Sequence, residues 1–202
     1  ACAPYRRLHL CHHNLETINN TTSTAKHDLL AEVCLAAKYE GKSLVEKHKK
    51  FKQDNSDFNT NICTVLARSF ADIGDIIRGK DLFIGYNEID REQKKKIQDN
   101  LKDIFAKIHS EVTNGSNGEA AKARYKDESG NYFQLREDWW NINREKVWEA
   151  ITCDAGKDDR YFKKSGYREF KFTDGHCGRN EKKVPTYFDY VPQYLRWFEE
   201  WA

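Results

Sequence analysis

ARSFADIGDIIRG, residues 67–79, decides how the rest of the chain is read. Leu66, Phe70, Ile73 and Ile77 recur at steps of three and four, and Ile62 and Ile76 widen the stripe. That spacing is one face of a helix. Gly79 stands where a helix C-cap favours a residue free to take positive φ, and Arg78 suits the negative end of the helix dipole. Asp72 and Asp75 fall off the stripe and read as a polar outer face. The expectation is an amphipathic helix near 60–78 with its apolar side in a core.

Four other segments repeat this periodicity. Over 26–53, Leu30, Cys34, Ala37, Gly41, Leu44, His48 and Phe51 form a stripe, and Ser23 or Thr24 can cap its start. Gly41 costs this helix about 1 kcal/mol in propensity but permits a close helix crossing. Ile97, Leu101, Ile104, Ile108 and Val112 mark a helix near 90–112, with Lys94, Lys95 and Lys96 on its solvated face. Leu135, Trp139, Trp140, Ile142, Val147 and Ile151 mark another near 133–153. Its adjacent tryptophans point in different directions, one to the core and the other to a neighbouring helix or subdomain. Pro192 suits a first helical turn and opens an aromatic helix over 192–202, with Tyr194, Trp197, Phe198 and Trp201. No stretch alternates as a strand does. The predicted fold class is therefore an all-α helical bundle.

The remaining stretches read as loops. Residues 1–25 are irregular, with Pro4 barring an earlier helix and Arg6-Arg7 forming a basic turn. Residues 113–131 are rich in Gly, Asn and Ser and read as an exposed insertion around a short helical piece. Residues 154–183 interleave basic side chains with Tyr161, Phe162, Tyr167, Phe170 and Phe172, and read as a loop held down by buried aromatics.

Composition narrows the function. The 202 residues carry 33% charged side chains but a net charge of only +2. Anion binding must therefore come from local clusters, and nucleic acid is not an expected partner. No apolar run is long enough to span a membrane, so direct membrane insertion is not expected. Methionine is absent even at position 1, which suggests an excised or processed piece of a longer chain. Six cysteines in so polar a sequence favour an oxidising, extracellular setting and leave fifteen pairings open. Asn19, Asn20 and Asn114 sit in glycosylation sequons. Cys11-His12-His13 has no second Cys/His pair nearby to complete a zinc site, so no metal or other cofactor is expected. Glycine-rich nucleotide loops, HExxH and GxSxG are all missing. His176-Cys177 lacks an orienting third group in sequence, and Cys177 reads as a disulfide cysteine. The chain does not read as an enzyme.

ARSFADIGDIIRG resembles a signature of Duffy-binding-like domains, the adhesion modules of malaria-parasite surface proteins, and specifically the α class of the erythrocyte membrane protein 1 adhesins. CAPYRRLHLC at 2–11, the tryptophan pair followed by VWEAITC at 147–153, and VPQYLRWFEEWA at 191–202 are similar to the same class in the same order. The resemblance implies a disulfide-linked helical bundle, with 1–25 the end of a first subdomain and 26–202 a helical second subdomain. It implies the pairs Cys34–Cys153 and Cys63–Cys177. Cys2 and Cys11 are left free, paired with each other, or bonded to a segment outside the chain. It further implies adhesion to host red-cell receptors or glycans, among them heparin-like sulfated glycans, blood-group sugars or a protein receptor, in cytoadherence or rosetting. Display would be on the extracellular face of a variant antigen at the infected red-cell surface, anchored outside this stretch, with other subdomains of the same chain as partners. The alternative is a structural spacer with the receptor site elsewhere.

Two basic clusters are the candidate contacts. Lys163, Lys164, Arg168 and Lys171 lie in the aromatic loop and are the first choice, because Tyr161, Tyr167 and Phe170 offer rings for sugar faces. Lys47, Lys49, Lys50 and Lys52 lie at the end of the long helix.

Overall fold

The computed structural model describes residues 2–18, 25–55, 60–115, 118–166 and 169–202. Ser23, Thr24, Asn19 and Asn20 lie outside them. The described residues form eight α-helices: α1 (Tyr5–Leu8), α2 (His13–Glu16), α3 (Ala25–Asp54), α4 (Ile62–Arg78), α5 (Glu88–Asn114), α6 (Gly118–Arg124), α7 (Phe133–Ile151) and α8 (Gln193–Trp201). An antiparallel hairpin, β1 (Phe162–Gly166) with β2 (Glu169–Phe172), is the one sheet among them. The fold is all-α, and the five periodic segments appear as α3, α4, α5, α7 and α8.

The signature stretch is the central helix. Asn61 caps α4 by accepting the Cys63 N–H at 2.8 Å, and Gly79 ends it in the left-handed region at φ 74°. Both α3 and α7 pack along it, with α5 against α3 and α7. Phe70 of α4 meets Trp140 and Trp148 of α7 at ring-centroid distances of 5.1 and 5.3 Å. Trp139 turns the other way, onto Phe105 of α5 at 6.1 Å. Both tryptophans of the pair are buried, because α7 is covered on two sides.

The buried line of α3 is displaced by about one residue from the expected stripe. Leu29, Val33, Ala36, Ala37, Glu40, Gly41 and Val45 are buried, whereas Cys34 is half-buried and Phe51 exposed. Glu40 conceals this line in the sequence, since a carboxylate does not read as core. It is buried because it accepts from Ser69 Oγ at 2.7 Å and from the Cys11 N–H at 3.0 Å. Gly41 makes the close crossing: a Cβ there would overlap the Ile151 carbonyl of α7.

That crossing also explains why the expected Cys34–Cys153 bridge is not formed. Cys34 and Cys153 are both free. The end of α7 meets α3 at Gly41, which lies about 10 Å along the helix axis from Cys34. The charges that act on the Cys34 thiol are those of Lys146 and Glu149, one to two turns before Cys153, while a disulfide needs Cα atoms within roughly 7 Å. Cys63 of α4 and Cys177 are bonded across a sequence separation of 114. In the chain-entropy view a loop of that length gives about 4–5 kcal/mol, and it fastens the 154–183 segment to the central helix. Cys2 and Cys11 are unpaired.

Two of the expected loops contain regular structure. Residues 1–25 include α1 and α2, each a single turn, and 154–183 includes the hairpin. The hairpin pairs Phe162 with Phe172 and Ser165 with Phe170, with an irregularity between Phe162 and Lys164. Basic residues between the aromatics masked its period-2 pattern.

Candidate functional site

The end of α3 carries the first basic cluster. Lys47, Lys49, Lys50 and Lys52 are all exposed, and none has an ion-pair or hydrogen-bond partner among the described residues. The helix extends beyond its contacts with the core here, so the last turns present lysines on several faces.

The hairpin carries the second cluster and is tied back by its base. Tyr161 is buried rather than available for stacking. Its ring meets Trp148 at 6.1 Å and its hydroxyl donates to Thr186 Oγ1 at 3.0 Å. Lys163 is neutralised by an ion pair with Glu181. Lys171 is exposed. Arg168, Tyr167 and the side chain of Lys164 lie outside the described residues. Residues two apart share a face of a strand, so Phe170 and Phe172 lie together, joined by Phe162 across the ladder. The rings of Phe172 and Phe170 stand 5.8 and 6.3 Å from that of Phe162, and the three side chains are 45%, 74% and 50% exposed for Phe162, Phe170 and Phe172. Only Tyr161 acts as a buried anchor among the loop aromatics described, so the loop is held mainly by its disulfide and base. The exposed phenylalanine patch was not separable in sequence from a buried one.

The α3 terminus and the base of the hairpin share a groove. His48 and Lys52 of α3, Asn61 and Ile62 at the start of α4, and Arg160 and Phe172 at the hairpin base line one groove of about 400 Å³. His48 Nε2 bonds Thr60 Oγ1 at 3.0 Å, and Asn61 Nδ2 donates to the Arg160 carbonyl at 3.1 Å. Those two bonds set the α3 terminus beside the hairpin. Asp158 and Asp159 also line the groove, and Asp159 accepts the Gly156 N–H at 2.6 Å. The His176-Cys177 pair is structural: Cys177 is in the disulfide and His176 Nδ1 bonds the Ala155 carbonyl at 2.6 Å.

A second concentration of charge is internal. The supposed outer face of α4 is covered by α1 and α8, and Ser69, Asp72, Asp75 and Arg78 are buried. Arg6 of α1 and Arg196 of α8 each place Nη2 2.7 Å from an oxygen of Asp72. Arg196 also contacts Asp75, which accepts from Arg78 at 2.8 Å. Gln193 donates to Asp72 at 3.0 Å, and Trp140 and Arg144 both donate to the buried Asp189. Burial pushes the Asp72 carboxyl up, but Arg6 and Arg196 outweigh it and hold Asp72 below the usual carboxylate range. At Asp75 burial wins over Arg196 and Arg78, and its pKa is pushed up to about 6. Arg6 and Arg7, expected as a basic turn, are both tied into ion pairs, Arg7 with Asp81 at 2.6 Å.

Comparison with known proteins identifies the family and the fold. The Duffy binding domain family model matches residues 1–196. The chain belongs to the Duffy binding domain family. It is 48% identical to the solved NTS-DBL1-alpha and CIDR-gamma double domain of the PfEMP1 protein from the Plasmodium falciparum varO strain, with a TM-score of 0.83. That match covers 100% of this chain and 27% of the solved one. The ICAM-1-binding DBLbeta domain of PfEMP1 IT4var13 is 35% identical over 97% of this chain and 41% of its own, with a TM-score of 0.70. Among curated proteins, the Duffy receptor beta form of Plasmodium knowlesi is 26% identical over 100% of this chain. The chain spans only 14% of that relative's length.

Proposed function

We propose that this Duffy-binding-like chain is a host-cell adhesion module whose receptor contact is the groove shared by the α3 terminus and the hairpin. The observation that carries this reading is the set of four exposed lysines at Lys47, Lys49, Lys50 and Lys52, without protein partners among the described residues, of which Lys52 lines the groove together with the exposed Phe172 of the hairpin. Relatives named as Duffy receptors and as ICAM-1-binding support receptor recognition as the general role. The ligand we favour is a sulfated, heparin-like glycan or another red-cell surface receptor, with rosetting or cytoadherence as the outcome. Regularly spaced sulfates suit several lysines, each exposed pair giving about 0–1 kcal/mol, while phenylalanine rings suit the apolar faces of sugars. The α3 cluster ranks first and the hairpin cluster of Lys163, Lys164, Arg168 and Lys171 second, because Lys163 is already paired and Tyr161 is buried. We read residues 1–25 as the end of one subdomain and 26–202 as a second, working on the extracellular face of a variant surface antigen.

The test is retention on heparin and binding to red cells as salt is raised. Replacing Lys47, Lys49, Lys50 and Lys52 with alanine should abolish retention at physiological ionic strength, where exposed charges are screened beyond about 8 Å. Replacing the hairpin cluster should have the smaller effect. A second reading, a spacer whose receptor site lies elsewhere, is favoured by the small share of each relative that the chain spans. It predicts unchanged retention and red-cell binding in both variants.

A further inference from the structure

A cavity of about 340 Å³ lies between the α1–α2 segment and the first turns of α5. Ile76, near the end of α4, lines it, whereas Ile62, at the start of that helix, lines the proposed receptor groove. The volume falls in the size range of small-ligand sites. Its apolar wall comes from Leu10, Ile76 and Ile97, all buried, and from the rings of Phe83 and Tyr86, which meet edge to face at 5.9 Å.

The charged lining is unequal in sign. Glu16, Asp81 and Asp90 set three carboxylates against two fixed cations, Arg7 and Lys94, which leaves one carboxylate in excess. Both cations are committed to Asp81. Arg7 donates to it from Nε and Nη2 at 3.1 and 2.6 Å. Lys94 Nζ lies 3.5 Å from the same carboxylate and donates to the Asp81 and Phe83 carbonyls. Asp90 accepts the Tyr86 N–H at 3.2 Å. Glu16 is the carboxylate left over. Its side chain is only 9% exposed, and no lysine or arginine pairs with it among the described residues. Its ion-pair contacts are two imidazoles, the exposed His13 at 3.4 Å and His12 at 3.9 Å. Burial and then Arg7 lower the His12 pKa, which keeps that ring neutral. A buried glutamate is ordinarily paired with a cation, and no other part of the described chain supplies one here.

Two further polar atoms of the lining residues have no hydrogen-bond partner. His12 Nδ1 is buried and makes no hydrogen bond, and a neutral imidazole has one bare acceptor nitrogen. Arg7 Nη1 is buried and makes none either. It is a donor only, on a guanidinium that lies 4.8 Å over the Phe83 ring. A carboxylate brought to Arg7 would deepen the negative excess, so the acceptor that suits it is a neutral carbonyl.

We propose that this cavity binds a primary ammonium group carried on an apolar body, with Glu16 and the His12 ring receiving the ammonium and Phe83, Tyr86 and Ile97 covering the body. The ammonium supplies the charge that Glu16 lacks, and the electron-rich faces of the rings favour a cation beside them. Two sources carry this chemistry. One is a free arylalkylamine. The other is the N-terminal residue of a peptide, whose first carbonyl adjoins the ammonium-bearing carbon and would meet Arg7 Nη1. The site is separate from the proposed receptor groove, and its failure leaves that reading intact.

The test is calorimetric titration of the 202-residue chain with 2-phenylethylamine, phenylalaninamide and 2-phenylethanol, with both amines protonated. The amines should bind saturably, each about tenfold tighter than the alcohol, the usual scale for one charge-assisted hydrogen bond. Tighter binding of phenylalaninamide than of 2-phenylethylamine identifies the peptide source, and equal or weaker binding identifies a free amine. Glu16→Gln keeps the shape, removes the charge and should erase the advantage of amine over alcohol. Since a change at a buried site can damage the fold, Tyr86→Ala, at a residue 66% exposed, provides the second variant. It should weaken both amines about threefold, the scale of an exposed cation–π contact, while leaving the melting temperature unchanged. Equal binding of amine and alcohol, no saturable binding of either amine, or unchanged amine affinity in folded Glu16→Gln or Tyr86→Ala protein would overturn the proposal.

Discussion

Asp72, Asp75 and Arg78 on α4, and Lys47, Lys49, Lys50 and Lys52 on α3, look alike as sequence: charged residues beside an apolar stripe. Their environments are opposite. The α4 set is buried beneath α1 and α8 and satisfied by Arg6, Arg196 and Gln193. The α3 set is exposed and has no protein partner among the described residues. A buried charge is tolerated only when paired, so the first set must be structural. An exposed, unpaired cluster contributes little to folding and is therefore available to a ligand. The difference shows that a charged helix face acquires its meaning from what lies across from it.

The strongest attempt to break this contrast is Asp72→Asn. It removes the carboxylate between Arg6 and Arg196 and should cost about 3–5 kcal/mol, read by urea unfolding. A change below about 1 kcal/mol would mean that the network is not a folding element. Gly41→Ala is the next largest. It pushes α3 away from the Ile151 carbonyl and should cost about 1–3 kcal/mol while leaving the lysine cluster exposed, so its heparin retention should be unchanged once folded.

The acid side separates Asp75 from Asp72. Asp75 has a folded pKa raised to about 6, so its contribution is fully present below its unfolded value and is lost as pH rises through about 6. Asp72 is depressed, so its contribution is present above its unfolded value and is lost as pH falls through the folded one. The stability of the parent relative to Asp75→Asn should therefore fall by on the order of 1–3 kcal/mol between pH 4 and pH 6, measured by denaturation at each pH. A flat difference would remove burial as the dominant influence on Asp75. The smallest effect is expected where the sequence looks most charged. Converting all four α3 lysines to alanine should move stability by less than about 0.5 kcal/mol per site, seen as nearly coincident melting curves.

What the sequence by itself determined is local. Apolar residues every three or four positions, Gly79 at the end of α4, and Pro192 before α8 specify five helices, because helix geometry repeats within four residues of itself. The quoted motifs carried the family. What only the tertiary structure decided depends on partners far apart in the chain. Arg6 and Arg196 reach Asp72 from 66 and 124 positions away, and no local pattern announces that they will cover it. Glu40 hid the true buried line of α3, and with it the reason Cys34 and Cys153 stay apart. Exposed Phe162, Phe170 and Phe172 read in sequence like buried ones, since burial belongs to the packed neighbour and not to the side chain. The groove that Lys52 of α3 shares with Phe172 of the hairpin depends on the Cys63–Cys177 bond and the Asn61–Arg160 contact, which join segments whose separation along the chain is fixed only when the bundle closes.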